Sequence, residues 1–73
     1  MPRKPEPRLT NTVREMRAGR DGLTQKDLAD RVGVTRQTIV ALEAGDYVPS
    51  LVLAIRVARV FDRQVEDIFT LDD

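Results

Sequence analysis

Wound at about 100° per residue, residues 36–44 (RQTIVALEA) form a helix with Ile39 and Leu42 on one side. Gln37, Val40, Ala41 and Ala44 fall on the other, with Arg36 at its edge. A solvated helix face ordinarily carries Glu and Lys. This one carries a guanidinium, an amide and short apolar groups that let the helix backbone approach a surface closely. A guanidinium fork matches the O6 and N7 acceptors of guanine, a side-chain amide matches the N6 and N7 edge of adenine, and small methyl-bearing side chains meet the thymine methyl. The chemistry on offer is non-covalent recognition of base edges in a DNA major groove.

Such a helix must be held at a fixed angle, and the preceding residues carry the signals for that. Thr24 is a helix-start residue with Asp27 three positions on as an approximate capping box, and Leu28, Ala29 and Val32 supply an apolar face. Gly33 stops this helix at a position that tolerates positive φ. Val34 can then plug the angle between the helices, and Thr35 caps the second one. Two short amphipathic helices about a tight turn are the layout of a helix-turn-helix reader. Upstream, residues 11–20 suit a first helix with Val13, Met16 and Arg17 inward, followed by a turn at Asp21 and Gly22. Downstream, Ser50 caps a fourth helix. Its apolar positions Leu51, Leu53, Ala54, Ile55, Val57, Ala58, Val60 and Phe61 cover more than half the circumference, which predicts the central core element. Residues 65–71 suit a short helical turn and an extended stretch, with too many apolar groups for a free tail.

The segment LTQKDLADRVGVTRQTIVALEAGDYVPSL, residues 23–51, resembles the Cro/repressor-type (XRE-like) helix-turn-helix family. The whole chain is most similar to its shortest single-domain members, over roughly residues 9–71. The resemblance implies an all-α, five-helix bundle to which the N- and C-terminal segments can add a small two-stranded antiparallel sheet, its first strand near Arg8, Leu9 and Thr10. It also implies that Gln25 touches a phosphate, that Thr35, Arg36, Gln37 and Thr38 read bases, and that Ala41 faces them one turn on beside Val40. Arg17 and Glu43 match the family's structural ion pair. Two residues depart from the family pattern, for Ala44 and Asp46 stand where many relatives carry phosphate-facing Asn and Lys. Either Asp46 turns away to cap its own loop, the favoured reading, or the grip on that strand is weaker. The surplus apolar residues Val48, Val65, Ile68 and Phe69 are assigned to a homodimer interface, against the plainer reading that they pack within one chain.

Composition narrows the function further. With 73 residues the chain makes one small domain whose core alone gives modest stability. Residues 8–73 are expected to form the DNA-binding and dimerisation domain. Residues 1–7, with Pro2, Pro5 and Pro7, are expected to be a flexible basic arm that either touches DNA or does nothing. The absence of Cys and His removes disulfides, Cys/His zinc sites and Cys/His nucleophile pairs, and the single serine, Ser50, is better explained as a cap. No catalytic residue, metal or cofactor is therefore expected, nor any small-molecule ligand. The lack of a long apolar run or signal-like start suggests a cytoplasmic protein that neither crosses a membrane nor is exported. The net charge is zero, but it is segregated. Residues 1–36 carry nine basic and five acidic groups, and residues 37–73 carry three and seven, so the two parts stand at +4 and −4. The expected function is a sequence-specific double-stranded DNA-binding regulator, a homodimer on a near-palindromic operator. Repression is the expected output, since a small dimer over a promoter blocks polymerase unaided, with activation left open. The alternative is a helix-turn-helix protein-binding module such as the antitoxin of a toxin–antitoxin pair.

Overall fold

A computed structural model describes residues 8–72; the arm expected over residues 1–7 lies outside them. The order of elements is β1 (Arg8–Asn11), α1 (Val13–Ala18), α2 (Gln25–Val32), α3 (Arg36–Ala44), α4 (Leu51–Val60), α5 (Val65–Ile68) and β2 (Phe69–Asp72). The fold is the expected five-helix bundle with a two-stranded antiparallel sheet. In that sheet Arg8 pairs with Asp72, Leu9 with Leu71, Thr10 with Thr70 and Asn11 with Phe69. One further bond, from the Thr12 N–H to the Ile68 carbonyl at 3.0 Å, carries the ribbon into the bundle.

The local signals work as their chemistry requires. Thr24 Oγ1 accepts the Asp27 N–H at 3.0 Å while an Asp27 carboxylate oxygen accepts the Thr24 N–H at 3.1 Å, a closed capping box. Gly33 ends α2 at φ 78°, a left-handed conformation that costs an L side chain about 1 to 2 kcal/mol. Ser50 Oγ caps α4 by accepting the Leu53 N–H at 3.1 Å. α1 starts later than expected because Asn11 belongs to the strand, and it ends at Ala18 with Gly19 as its C-cap. From the strand Asn11 Oδ1 accepts the Val13 N–H at 3.1 Å and Nδ2 donates to the Leu42 carbonyl at 2.9 Å. One side chain thus starts α1 and ties it to the C-terminal turn of α3.

Val13, Leu28, Val32, Ile39, Leu42, Val57 and Ile68 are fully buried, and α2 packs on both α3 and α4. The expectation for α4 needs correction. Leu53, Ala54, Val57 and Ala58 are buried, but Leu51, Val52 and Ile55 are exposed on the opposite arc. Ile68 and Phe69, assigned from the sequence to a dimer interface, are spent inside the chain at 0% and 8% exposure. Their burial against the other helices is the intramolecular packing that a domain of this size needs. Among the described residues no helix is long and apolar enough to cross a membrane.

Candidate nucleic-acid interface

α3 is fixed at both ends. Thr35 Oγ1 accepts the Thr38 N–H at 3.2 Å and lies 3.1 Å from the Thr38 hydroxyl, so both threonines serve the cap. Gly45 ends the helix at φ 81°, and the Asp46 N–H closes on the Ala41 carbonyl at 3.0 Å. Between these ends Ile39 and Leu42 are buried, whereas Arg36, Gln37, Val40 and Ala44 are exposed and Ala41 is half-buried. The exposed stripe is therefore the one inferred from the helical period, with Thr38 half-buried at its margin. The Asp46 residue is exposed.

The angle of α3 is set by a charged cluster. Arg17 Nε donates to Glu43 Oε2 at 2.9 Å, Arg17 Nη2 to Glu43 Oε1 at 3.2 Å, and Arg17 Nη1 to the Leu23 carbonyl at 3.2 Å. Gln25 Nε2 adds a bond to Glu43 Oε1 at 3.1 Å. The Glu43 side chain is only 5% exposed, so its charge depends on these donors rather than on water. The hydrogen bond to Glu43 holds the Arg17 guanidinium charged more firmly than usual, against the opposing effect of burial. α1, α2 and α3 are thereby locked through one carboxylate.

Around this cluster the basic side chains are arranged on two sides. One groove is lined by Arg17, Arg20, Lys26 and Arg36 with no carboxylate among its lining residues. A second is lined by Arg14, Arg17 and Gln25 with Val40, Glu43 and Ala44 of α3, and Arg8 stands near Ala44 and Gly45. Sequence reasoning missed Arg14, although it stands three residues before Arg17 and so on the same side of α1. Arg20 and Lys26 gave no such signal, because only the turn between α1 and α2 brings them together. Arg56 was missed as well: Nη1 donates to the Val32 carbonyl at 3.4 Å, placing a cation at the C-terminal end of α2. Of the residues assigned to a dimer, Val48 is 74% exposed, Val65 is half-buried against the core, and Ile68 and Phe69 are unavailable.

Two helices locked at a glycine turn, with an exposed stripe of Arg36, Gln37 and small apolar side chains on the second, define a helix-turn-helix protein. The helix-turn-helix family profile matches residues 13–68, and the chain belongs to that family. It is 49% identical over 65 residues to YgzD of Bacillus subtilis, described as an uncharacterized HTH-type transcriptional regulator, covering 89% of this chain and 97% of YgzD. An uncharacterized HTH-type transcriptional regulator of Methanothermobacter thermautotrophicus is 66% identical over 53 residues, 71% of this chain and 77% of its own. The SOS-response transcriptional repressor LexA from Eubacterium rectale has a similar fold, with a TM-score of 0.71 at 23% identity over 77% of this chain and 58% of that one.

Proposed function

We infer that the protein is a sequence-specific double-stranded DNA-binding transcriptional regulator, a cytoplasmic repressor acting as a homodimer on a near-palindromic operator. The observation that carries this reading is the exposed stripe of α3, with Arg36, Gln37 and Val40 open to solvent beside a groove whose charged lining residues are all cationic. Arg36 and Gln37 supply direct readout, Val40 and Ala41 meet thymine methyl groups, and the flanking cations neutralise phosphates on either side of the groove. Thr35 and Thr38, committed to the cap, contribute contacts only through hydroxyl valences the cap leaves over. The dimer uses Val48 with Leu51, Val52 and Ile55, exposed apolar side chains of the kind that mark an interaction surface, together with the half-buried Val65. Two heads double the few base contacts one helix offers and place half-sites about 34 to 36 Å apart. Selection from random duplex DNA tests the reading: enrichment of an inverted repeat is expected, and recovery of unrelated sequences would overturn it.

A further inference from the structure

The loop that follows α3, residues 46–50, carries no cation. It begins with an exposed acidic residue, Asp46, whose N–H is bonded to the Ala41 carbonyl at 3.0 Å and so is tied to the last turn of the helix. Cations reach this end of α3 from other elements. Arg14 of α1 lines a groove with Val40, Glu43 and Ala44, and Arg8 of β1 lines another with Glu43, Ala44 and Gly45. Glu43 is the one carboxylate among the lining residues of either groove, and it is already held. Its side chain is 5% exposed and accepts from Arg17 and Gln25. With Arg17 balanced by Glu43, the charge these grooves present to solvent is that of two exposed residues, Arg14 and Arg8. Ala44 lines both grooves, and its methyl group occupies little of either. Both arginines stand on elements fixed to the bundle, α1 through the Arg17 bridge and Asn11, β1 through its pairing with β2.

We propose that the DNA backbone beside the C-terminal end of the recognition helix is held by Arg14 and Arg8, from α1 and from the ribbon, in place of the loop after α3. This rests on the DNA-binding reading above and gives the ribbon a part in binding. A guanidinium meets a phosphate through two parallel N–H donors, whereas the Asp46 carboxylate repels a phosphate placed against the loop. Contacts of this kind carry no sequence information, so the two arginines strengthen binding on every duplex and leave discrimination to α3.

The test compares the parent with Arg14→Gln and Arg8→Gln, which remove charge from exposed positions, and with Arg14→Lys and Arg8→Lys, which keep it. Each is titrated over a range of salt concentrations against the selected duplex, an unrelated duplex, and selected duplexes carrying single methylphosphonate linkages. Each Gln variant is expected to lose about tenfold in affinity per half-site on both duplexes alike. The slope of log affinity against log salt should become shallower by about one for each contact removed. The Lys variants should keep the parent's slope, and they decide the matter where a Gln variant melts early. One neutralised linkage in each half-site should weaken the parent and cost Arg14→Gln nothing further, and a different linkage should do the same for Arg8→Gln. An unchanged slope in either Gln variant, a loss confined to the selected duplex, or no linkage to which the parent and a Gln variant respond differently would overturn the proposal. A parent protein that binds neither duplex would instead remove the DNA-binding reading itself.

Discussion

Arg17 of α1 and Glu43 of α3, 26 residues apart in sequence, are joined by two charge-assisted hydrogen bonds, Nε to Oε2 at 2.9 Å and Nη2 to Oε1 at 3.2 Å. The pair braces the first helix against the recognition helix, and it is asymmetric. Arg17 retains 19% side-chain exposure and Glu43 only 5%.

That asymmetry orders the effects of the two truncations. Arg17→Ala strands a carboxylate with only the Gln25 amide to serve it, whereas Glu43→Ala leaves a guanidinium that still reaches water and the Leu23 carbonyl. Arg17→Ala should cost about 3 to 5 kcal/mol, and Glu43→Ala should fall toward the lower end of that range. Thermal melts of both variants check this; an unchanged melting temperature in either would show that the bridge braces nothing.

Arg36→Ala and Gln37→Ala remove exposed groups that take no part in the caps of α3. Their melting temperatures should stay at the parent value while affinity for the selected duplex falls by about 1 to 3 kcal/mol and preference relaxes at particular base pairs. Retention of the parent's ranking of sites in a repeated selection would contradict the assignment of these two residues to base readout.

For the dimer, Leu51→Asp is a cleaner probe than any change at Val65. Leu51 is 70% exposed, so a carboxylate there is solvated in the monomer, whereas Val65 packs against the core and its replacement would also disturb folding. In a dimer joined through Val48, Leu51, Val52 and Ile55 the introduced charge would be desolvated, and the assembly should dissociate. Sedimentation at micromolar concentration should find a dimeric parent and a folded monomeric variant; a monomeric parent would refute the arrangement.

The capping box gives α2 a pH-dependent foothold. Hydrogen bonding from the Thr24 backbone, then its side chain, holds the Asp27 carboxyl below its ordinary value. A depressed pKa contributes stability that is complete above the unfolded value, near pH 4, and is lost as pH falls through the lower folded value. The melting temperature of the parent should therefore exceed that of Asp27→Ala at pH 6, with the gap closing progressively below about pH 4. A constant gap down to pH 2 would assign the effect to something other than the charge.

The motif was legible because its signals are local. Thr24, Gly33, Thr35 and Ser50 each act within four residues of their own position, and the α3 stripe follows from one period. The ion pair and the sheet came through the family resemblance, since nothing in the spacing of Arg17 and Glu43 or of Leu9 and Leu71 joins them. The errors arose where burial depends on a third element. Ile68 and Phe69 look surplus until α5 folds back under the bundle, and Leu51 and Ile55 look like core until only one arc of α4 is covered. Asn11 and Arg56 were invisible for a related reason: each satisfies a carbonyl on a distant element, Leu42 and Val32, and a backbone carbonyl has no signature in a sequence.

The ribbon formed by β1 and β2 sets Arg8 opposite Asp72. The two ends of the described chain consequently leave the domain from a single corner. A peptide linker joining them would have almost no gap to bridge, so a circularly permuted version opened in the exposed loop at residues 46–48 could retain every helix contact. Equally, a reporter or second domain joined directly at Arg8 or at Asp72 would leave the domain from that same corner.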